Sequence, residues 1–184
     1  PEDWIIINDI DEIPDLKNIN LKNINKSLIL FKQKMFYYKF NLLYPSMPWF
    51  GSKACKKKNF ISPQWLRNIR QKKYPFWRVD TLFSKKKYID VHIVDDGGWH
   101  FTNIKSPKDI EKKFLNYTHH YEFEQSKLKL NDLEKIVNEK KIIYDHSQDQ
   151  TGYKWGSDTK LNAIDLSNMP DYLKDNYKKY NNWL

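Results

Sequence analysis

The chain has one cysteine, Cys55, so an internal disulfide is excluded and a reducing compartment, or a fold indifferent to disulfides, fits. No apolar run approaches the about 18 to 20 residues that span a bilayer, and no basic-then-apolar leader stands at the start. The expectation is a chain with no membrane segment in these residues and a cytoplasmic location, of bacterial or viral origin, with room left for an anchor further upstream. Neither HExxH nor a paired-cysteine spacing occurs, which leaves zinc without support. Arginine is scarce too. Only Arg67, Arg70 and Arg78 are present, so the net charge of +9 is almost wholly lysine. Base and phosphate recognition favours the arginine fork, and the densest run, "KACKKKNF" at 53 to 60, sits in no nucleic-acid-binding motif. Nucleic acid is therefore not an expected partner, and the lysines read as a solvated surface able to steer a phosphate-bearing small molecule.

What remains is ample for a core: 184 residues, 40% hydrophobic and 16% aromatic, expected to form a single domain over residues 1 to 184. The chain opens at Pro1 with a strand almost at once, which creates the expectation of an N-terminally truncated domain. "DWIIIND" at 3 to 9 reads as a strand buried on both faces. The twice-written pentapeptide at 16 to 25 reads as a surface excursion. Residues 27 to 44 read as one long strand or a pair, with Leu28 and Leu30 on one face and Ile29 and Phe31 on the other. Ser62-Pro63 and Ser106-Pro107 open helices, a third helix follows Asn131, and "MPDYLKDNYKKY" closes the chain as another. Ile110, Phe114, Tyr117 and Tyr121 line one helical face. "YIDVHIV" at 88 to 94 is a strand, and 145 to 160 a loop. Strands interleaved with helices argue α/β with mixed sheet order.

Three clusters carry chemistry. In "IIINDIDEIPD", at 5 to 15, Asp9 and Asp11 would share a face of an extended segment while Glu12 points away. Two such carboxylates can hold a hard divalent cation at about 2.0 to 2.2 Å. A solvated turn capped by the same residues is an equal alternative. In "DDGGWHF", at 95 to 101, Gly97 and Gly98 permit a tight turn and Trp99 offers a face to a sugar ring. His100 reads either as a metal ligand or as a buried structural residue. "YTHHYEFE", at 117 to 124, places His119, His120, Glu122 and Glu124 on a helix, where such pairs ordinarily stabilise the surface.

Taken in order, "IIINDIDEIPD", "MFYYKFNLLY", "SPQWLRNIR", "DGGWHFTNIKSPKDIEKKFLNYTHH" and "LSNMPDYLKDN" resemble glycosyltransferase family 17, which includes the β-1,4-mannosyl-glycoprotein 4-β-N-acetylglucosaminyltransferases. The resemblance runs over nearly the whole chain and is weak in its lysine-rich middle. It implies a GT-A type fold, a Rossmann-like mixed sheet flanked by helices, with the first nucleotide-holding strands upstream of this chain. It also implies an inverting transfer of a sugar, GlcNAc, from a UDP-sugar to a glycan acceptor, with Mn²⁺ or Mg²⁺. Position by position, Asp9 and Asp11 match the family's Asp-x-Asp and Glu12 its following acid. Trp99 and His100 match Gly-Trp-His-Phe, and Thr118 and His119 the Ser/Thr-His. The implied metal ligands are Asp9, Asp11 and His100, the same residues with Trp99 hold the donor, and Arg67 and Arg78 neutralise phosphate. The general base is Asp96, with Asp95 and Glu122 as alternatives. Two other classes stay open: a catalytically inactive sugar-binding module of the same fold, and a metal-dependent phosphoesterase or nuclease.

Overall fold

The computed structural model describes residues 2–116, 120–147 and 154–184. Its strands are β1 (Trp4–Ile7), β2 (Glu12–Pro14), β3 (Leu28–Phe31), β4 (Gln33–Tyr37), β5 (Leu42–Trp49), β6 (Lys53–Lys56), β7 (Val91–Val94), β8 (Gly98–Thr102) and β9 (Asn162–Ala163). Its helices are α1 (Pro63–Arg67), α2 (Pro107–Leu115), α3 (His120–Ser126), α4 (Leu130–Asn138) and α5 (Asp171–Asp175). The chain folds as mixed α/β. It divides into two compact units, Pro1–Lys34 with Pro48–His100, and Met35–Met47 with Phe101–Leu184.

The first unit is built on β3. Its four residues are all buried, and the sheet around it has the order β1-β6-β3-β7, with β3 antiparallel to β6 and parallel to β7. Alternation along β3 sends side chains to opposite faces, as its sequence pattern predicts. Leu28 and Leu30 join Cys55, Leu66, Ile69 and Val91 on one face, while Ile29 and Phe31 join Ala54 and Ile24 on the other. The helix opened by Ser62 and Pro63 covers the first face through Leu66, its start capped by the Ser62 hydroxyl accepting from Trp65 N–H. Ile19, Leu21 and Ile24, from the surface excursion at 16 to 25, cover the second.

Two strand expectations change here. β1 is an edge strand, half-buried along its length, because β6 pairs only one of its sides. The segment "KACK", which the charge count assigns to a solvated surface, is β6, an interior strand of that sheet, with Lys53, Ala54 and Cys55 all buried. Short Ala-Cys apolar content flanked by lysines carries no strand signal, yet pairing on both sides satisfies its backbone.

Within the first unit β2 pairs antiparallel with β8, Glu12 opposite His100 and Pro14 opposite Gly98. Gly98 holds φ of +126° there, and a Cβ would run into the Ile13 carbonyl, so the second glycine of "DDGG" is required by the close approach of β2. Within the second unit β5 pairs with β9, and Phe114, Phe123 and Trp155 form an aromatic cluster with centroids 5.2 to 5.3 Å apart. Ser106 caps α2 as expected, and Ile110 and Phe114 are buried. The helical face predicted to continue through Tyr121 does not: Tyr121 is exposed on the separate helix α3. Tyr117, Thr118 and His119 lie outside the described residues, as do 148–153 of the expected loop. The fully buried Asp145 accepts from the Tyr44 hydroxyl at 2.6 Å and from Ser147, Ser157 and Thr159. The closing helix is the short α5 followed by a 3₁₀ stretch, Tyr177–Trp183.

Since Leu30 is fully buried in the central strand of the first unit, Leu30→Ala is expected to destabilise the chain by about 2 to 5 kcal/mol, measured by denaturant unfolding.

Candidate functional site in the first unit

The acidic motif is a turn. Residues 8 to 11 connect β1 to β2, closed by Glu12 N–H donating to the Asp9 carbonyl at 3.1 Å and by Asn8 Nδ2 donating to the carbonyls of Asp9 and Glu12, each at 3.0 Å. The rule that residues i and i+2 share a face holds only for extended chain, so it does not apply to Asp9 and Asp11. Their carboxylates instead engage different neighbours. Both oxygens of Asp9 meet the guanidinium of Arg67, at the end of α1, in a fork. Asp11 Oδ2 stands 3.4 Å from His100 Nε2.

Glu12 is the organiser underneath. It is 4% exposed, and its carboxylate accepts from Asp9 N–H at 2.9 Å and from the Trp49 indole N–H at 2.7 Å. Trp49 also stacks on the His100 ring, with centroids 4.6 Å apart and planes 23° apart. Glu12 and His100 are cross-strand neighbours, so one tryptophan braces both. Gly51 makes the room: a Cβ there would coincide with the Glu12 carboxylate and press on the Trp49 nitrogen. Trp49, Gly51 and Lys53 carried no sequence signal, because a tryptophan in "PWFGSK" has no motif spacing to betray its partners.

Lys53 is buried in β6 and donates to the carbonyls of Arg67 at 2.5 Å and Ile69 at 2.7 Å, which fixes the end of α1. Burial pulls its ammonium down to about 8 from 10.5, against the favourable charge of Glu12 and with the help of the Arg67 charge. Arg67 is pushed above its ordinary value by its hydrogen bonds to Asp9.

A recess of about 140 Å³ opens here, lined by Asn8, Asp9, Glu12, Trp49, Lys53 and Arg67 among others, with Asp11 and His100 outside the lining. Small-molecule sites ordinarily run to about 300 Å³ or more, so this recess suits one phosphate-sized group and not a whole nucleotide. A larger open depression along residues 17 to 22 is made by one segment of backbone and lacks acids or histidines.

His100 is buried, and its Nδ1 has no hydrogen-bond partner among the described residues. One imidazole cannot offer both nitrogens to one ion, so it is Nε2, the nitrogen facing Asp11, that with the Asp11 carboxylate fits two positions of a divalent ion. Asp9 fits only by leaving Arg67. Among the described residues no group of three His, Cys, Asp or Glu side chains is gathered closely enough to hold a metal.

The remaining expected site residues are placed elsewhere in this geometry. Trp99 neighbours His100 along β8, so its side chain faces the other side of the sheet, opposite Ile13. Asp95 and Asp96 occupy the turn before Gly98, beyond the end of β8 where β2 leaves, and pair with Lys32 at 2.9 Å and Lys34 at 3.0 Å. Asp96 has φ of 50°, a left-handed turn position. Arg78 is on the 70–88 loop, bonded to Asp80. Glu122 is exposed on α3 of the second unit. Comparison of the chain with protein-family models, with curated proteins and with solved structures finds no match.

Two outcomes follow from Glu12 and its neighbours. Gly51→Ala forces the Glu12 carboxylate aside and is expected to cost about 1 to 3 kcal/mol in denaturant unfolding, with a change in Trp fluorescence as the Trp49 bond is lost. Lys53 binds its proton less tightly folded than unfolded, so the penalty of its burial is full below about pH 8 and is relieved as pH rises toward 10.5. Unfolding free energy measured across that window should therefore carry a rising contribution that is absent from Lys53→Met.

Proposed function

We propose that the chain is a metal-dependent inverting glycosyltransferase of GT-A type, moving a sugar, GlcNAc, from a UDP-sugar to a hydroxyl of a glycan acceptor. The observation that carries this reading is the meeting of Asp11, in the turn just before β2, with His100, on β8, at 3.4 Å, two of the three motif residues expected to share a cation. The resemblance to glycosyltransferase family 17 supplies the reaction class; what supports it in the fold is a carboxylate, an imidazole and an arginine fork within one turn and its neighbours.

In this reading Asp11 and His100 would hold Mn²⁺ or Mg²⁺, which would supply positive charge to offset the negative charge building on the leaving diphosphate. Arg67 exchanges its fork from Asp9 to diphosphate oxygens, a planar bidentate contact of the same kind. That exchange costs little, since both side chains are about half exposed and such pairs are worth on the order of 1 kcal/mol or less. The acceptor oxygen bonds to the anomeric carbon from the face opposite the leaving group as the bond from that carbon to the diphosphate oxygen breaks, its electron pair departing with UDP. The hydroxyl proton passes to solvent water, since Asp96, the base expected from the sequence, is paired with Lys34 on the turn before β8, away from the Asp11–His100 pair.

UDP release from UDP-GlcNAc with Mn²⁺ tests the assignment. Asp11→Asn is expected to lower turnover by about a hundredfold or more, the scale of losing one charge-stabilising group. Turnover unchanged in Asp11→Asn overturns the metal assignment. Donor binding with no turnover in the parent protein points to the sugar-binding module, and cleavage of labelled DNA or RNA with Mn²⁺ to the phosphoesterase.

A further inference from the structure

The segment from Arg70 to Tyr88 is a closed loop with an apolar tip. Its ends are tied by Arg70 N–H donating to the Lys86 carbonyl at 2.7 Å, and turn hydrogen bonds from Arg78 to Pro75, Thr81 to Arg78, Leu82 to Val79 and Ser84 to Thr81 shape its interior. Tyr74 and Thr81 point inward and are buried. Asp80 accepts from Arg78 Nε at 2.6 Å and from Lys87 Nζ at 2.7 Å, and both cations lie over the Tyr74 ring. With the inward positions filled this way, five large apolar side chains face solvent: Phe76 at 82%, Trp77 at 67%, Val79 at 64%, Leu82 at 76% and Phe83 at 86% exposed.

Such a concentration needs a partner. Behind the tip, the tied ends bring together Arg70, Lys72, Lys73, Lys85, Lys86 and Lys87, and the loop holds seven cations against the one acid, Asp80. We propose that this loop is a peripheral membrane-docking element that inserts its Phe, Trp, Val and Leu tip into the interface of an anionic lipid bilayer while its lysine collar meets the headgroups.

Charge and side-chain type select that occupant. A second copy of the chain would bring one basic collar against another. A single-stranded nucleic acid would use aromatic faces for stacking, but Val79 and Leu82 have none, and the Arg78 guanidinium is already spent on Asp80. A bilayer interface accepts aliphatic and aromatic side chains alike, takes Trp readily at headgroup depth, and attracts adjacent lysines electrostatically. No described helix is long and apolar enough to cross a membrane, so the attachment is to the surface.

Flotation with phosphatidylcholine vesicles, with and without about 30% phosphatidylglycerol, tests this. The protein should partition onto the anionic vesicles about tenfold more strongly than onto neutral ones, and lose most of that preference as salt rises from about 0.1 to 0.5 M. The tip variant Phe76→Ser, Trp77→Ser, Phe83→Ser, and separately the collar variant Lys72→Gln, Lys73→Gln, Lys85→Gln, should each lower partitioning about tenfold while keeping the parent circular dichroism spectrum. No partitioning onto anionic vesicles, or partitioning that survives the tip variant, overturns the proposal. So does a self-association or oligonucleotide binding that the tip variant abolishes in a protein that ignores vesicles.

Discussion

A single buried carboxylate holds the candidate site together. Glu12 sits beneath the acidic turn, where an ionised group would be heavily penalised unless its oxygens found donors. They find the Asp9 amide and the Trp49 indole, and Glu12 lies in the fields of Lys53 and Arg67. Each of those donors belongs to a different stretch of chain. Satisfying Glu12 therefore fixes the direction in which the turn leaves β1, the rotamer of the tryptophan that stacks on His100, and the glycine that must stand beside both. Asp9 and Asp11 take their partners as a consequence of that turn.

Sequence periodicity was a good guide wherever an element buries a regular face. The alternation in "LILF" placed Leu28 and Leu30 apart from Ile29 and Phe31, and the two Ser-Pro pairs marked helix starts, because both signals are local and depend on few neighbours. It failed at β6, whose strand character comes from pairing on both sides and whose Lys53 is buried because two carbonyls at the end of α1 receive its ammonium. Nothing in "KACKKK" announces those carbonyls. For the site, the residue types were legible and their arrangement was not. The motif spacing singled out Asp11 and His100, which the fold brings to 3.4 Å of each other, but a shared face for Asp9 and Asp11 requires extended chain, and Ile10 between them stands fully exposed in a turn.

The positive charge divides in a way that composition alone conceals. Many lysines make ordinary exposed pairs, such as Lys32 with Asp95 and Lys34 with Asp96, which contribute little to stability individually. Lys53 is buried and acts as a structural donor. The 70–88 loop is a third kind, where cations gather behind exposed apolar side chains. The reading of the lysines as a solvated surface describes the first group only.

Strength and exposure are distributed unevenly around Glu12, and that difference bears on how the site can work. The interactions beneath it are buried and cooperative, so removing one leaves a polar group unsatisfied in a place water does not reach. Those at the rim, Asp9 with Arg67 and Asp11 with His100, involve side chains that on at least one partner are near half exposed, where solvent screens the attraction and offers replacement partners. In the proposed reading, a phosphate-bearing ligand would exchange for rim contacts at small cost while the floor keeps its shape. The recess of about 140 Å³ is bounded by both kinds of contact, with Glu12, Trp49 and Lys53 forming its fixed part and Asp9 and Arg67 its exchangeable part.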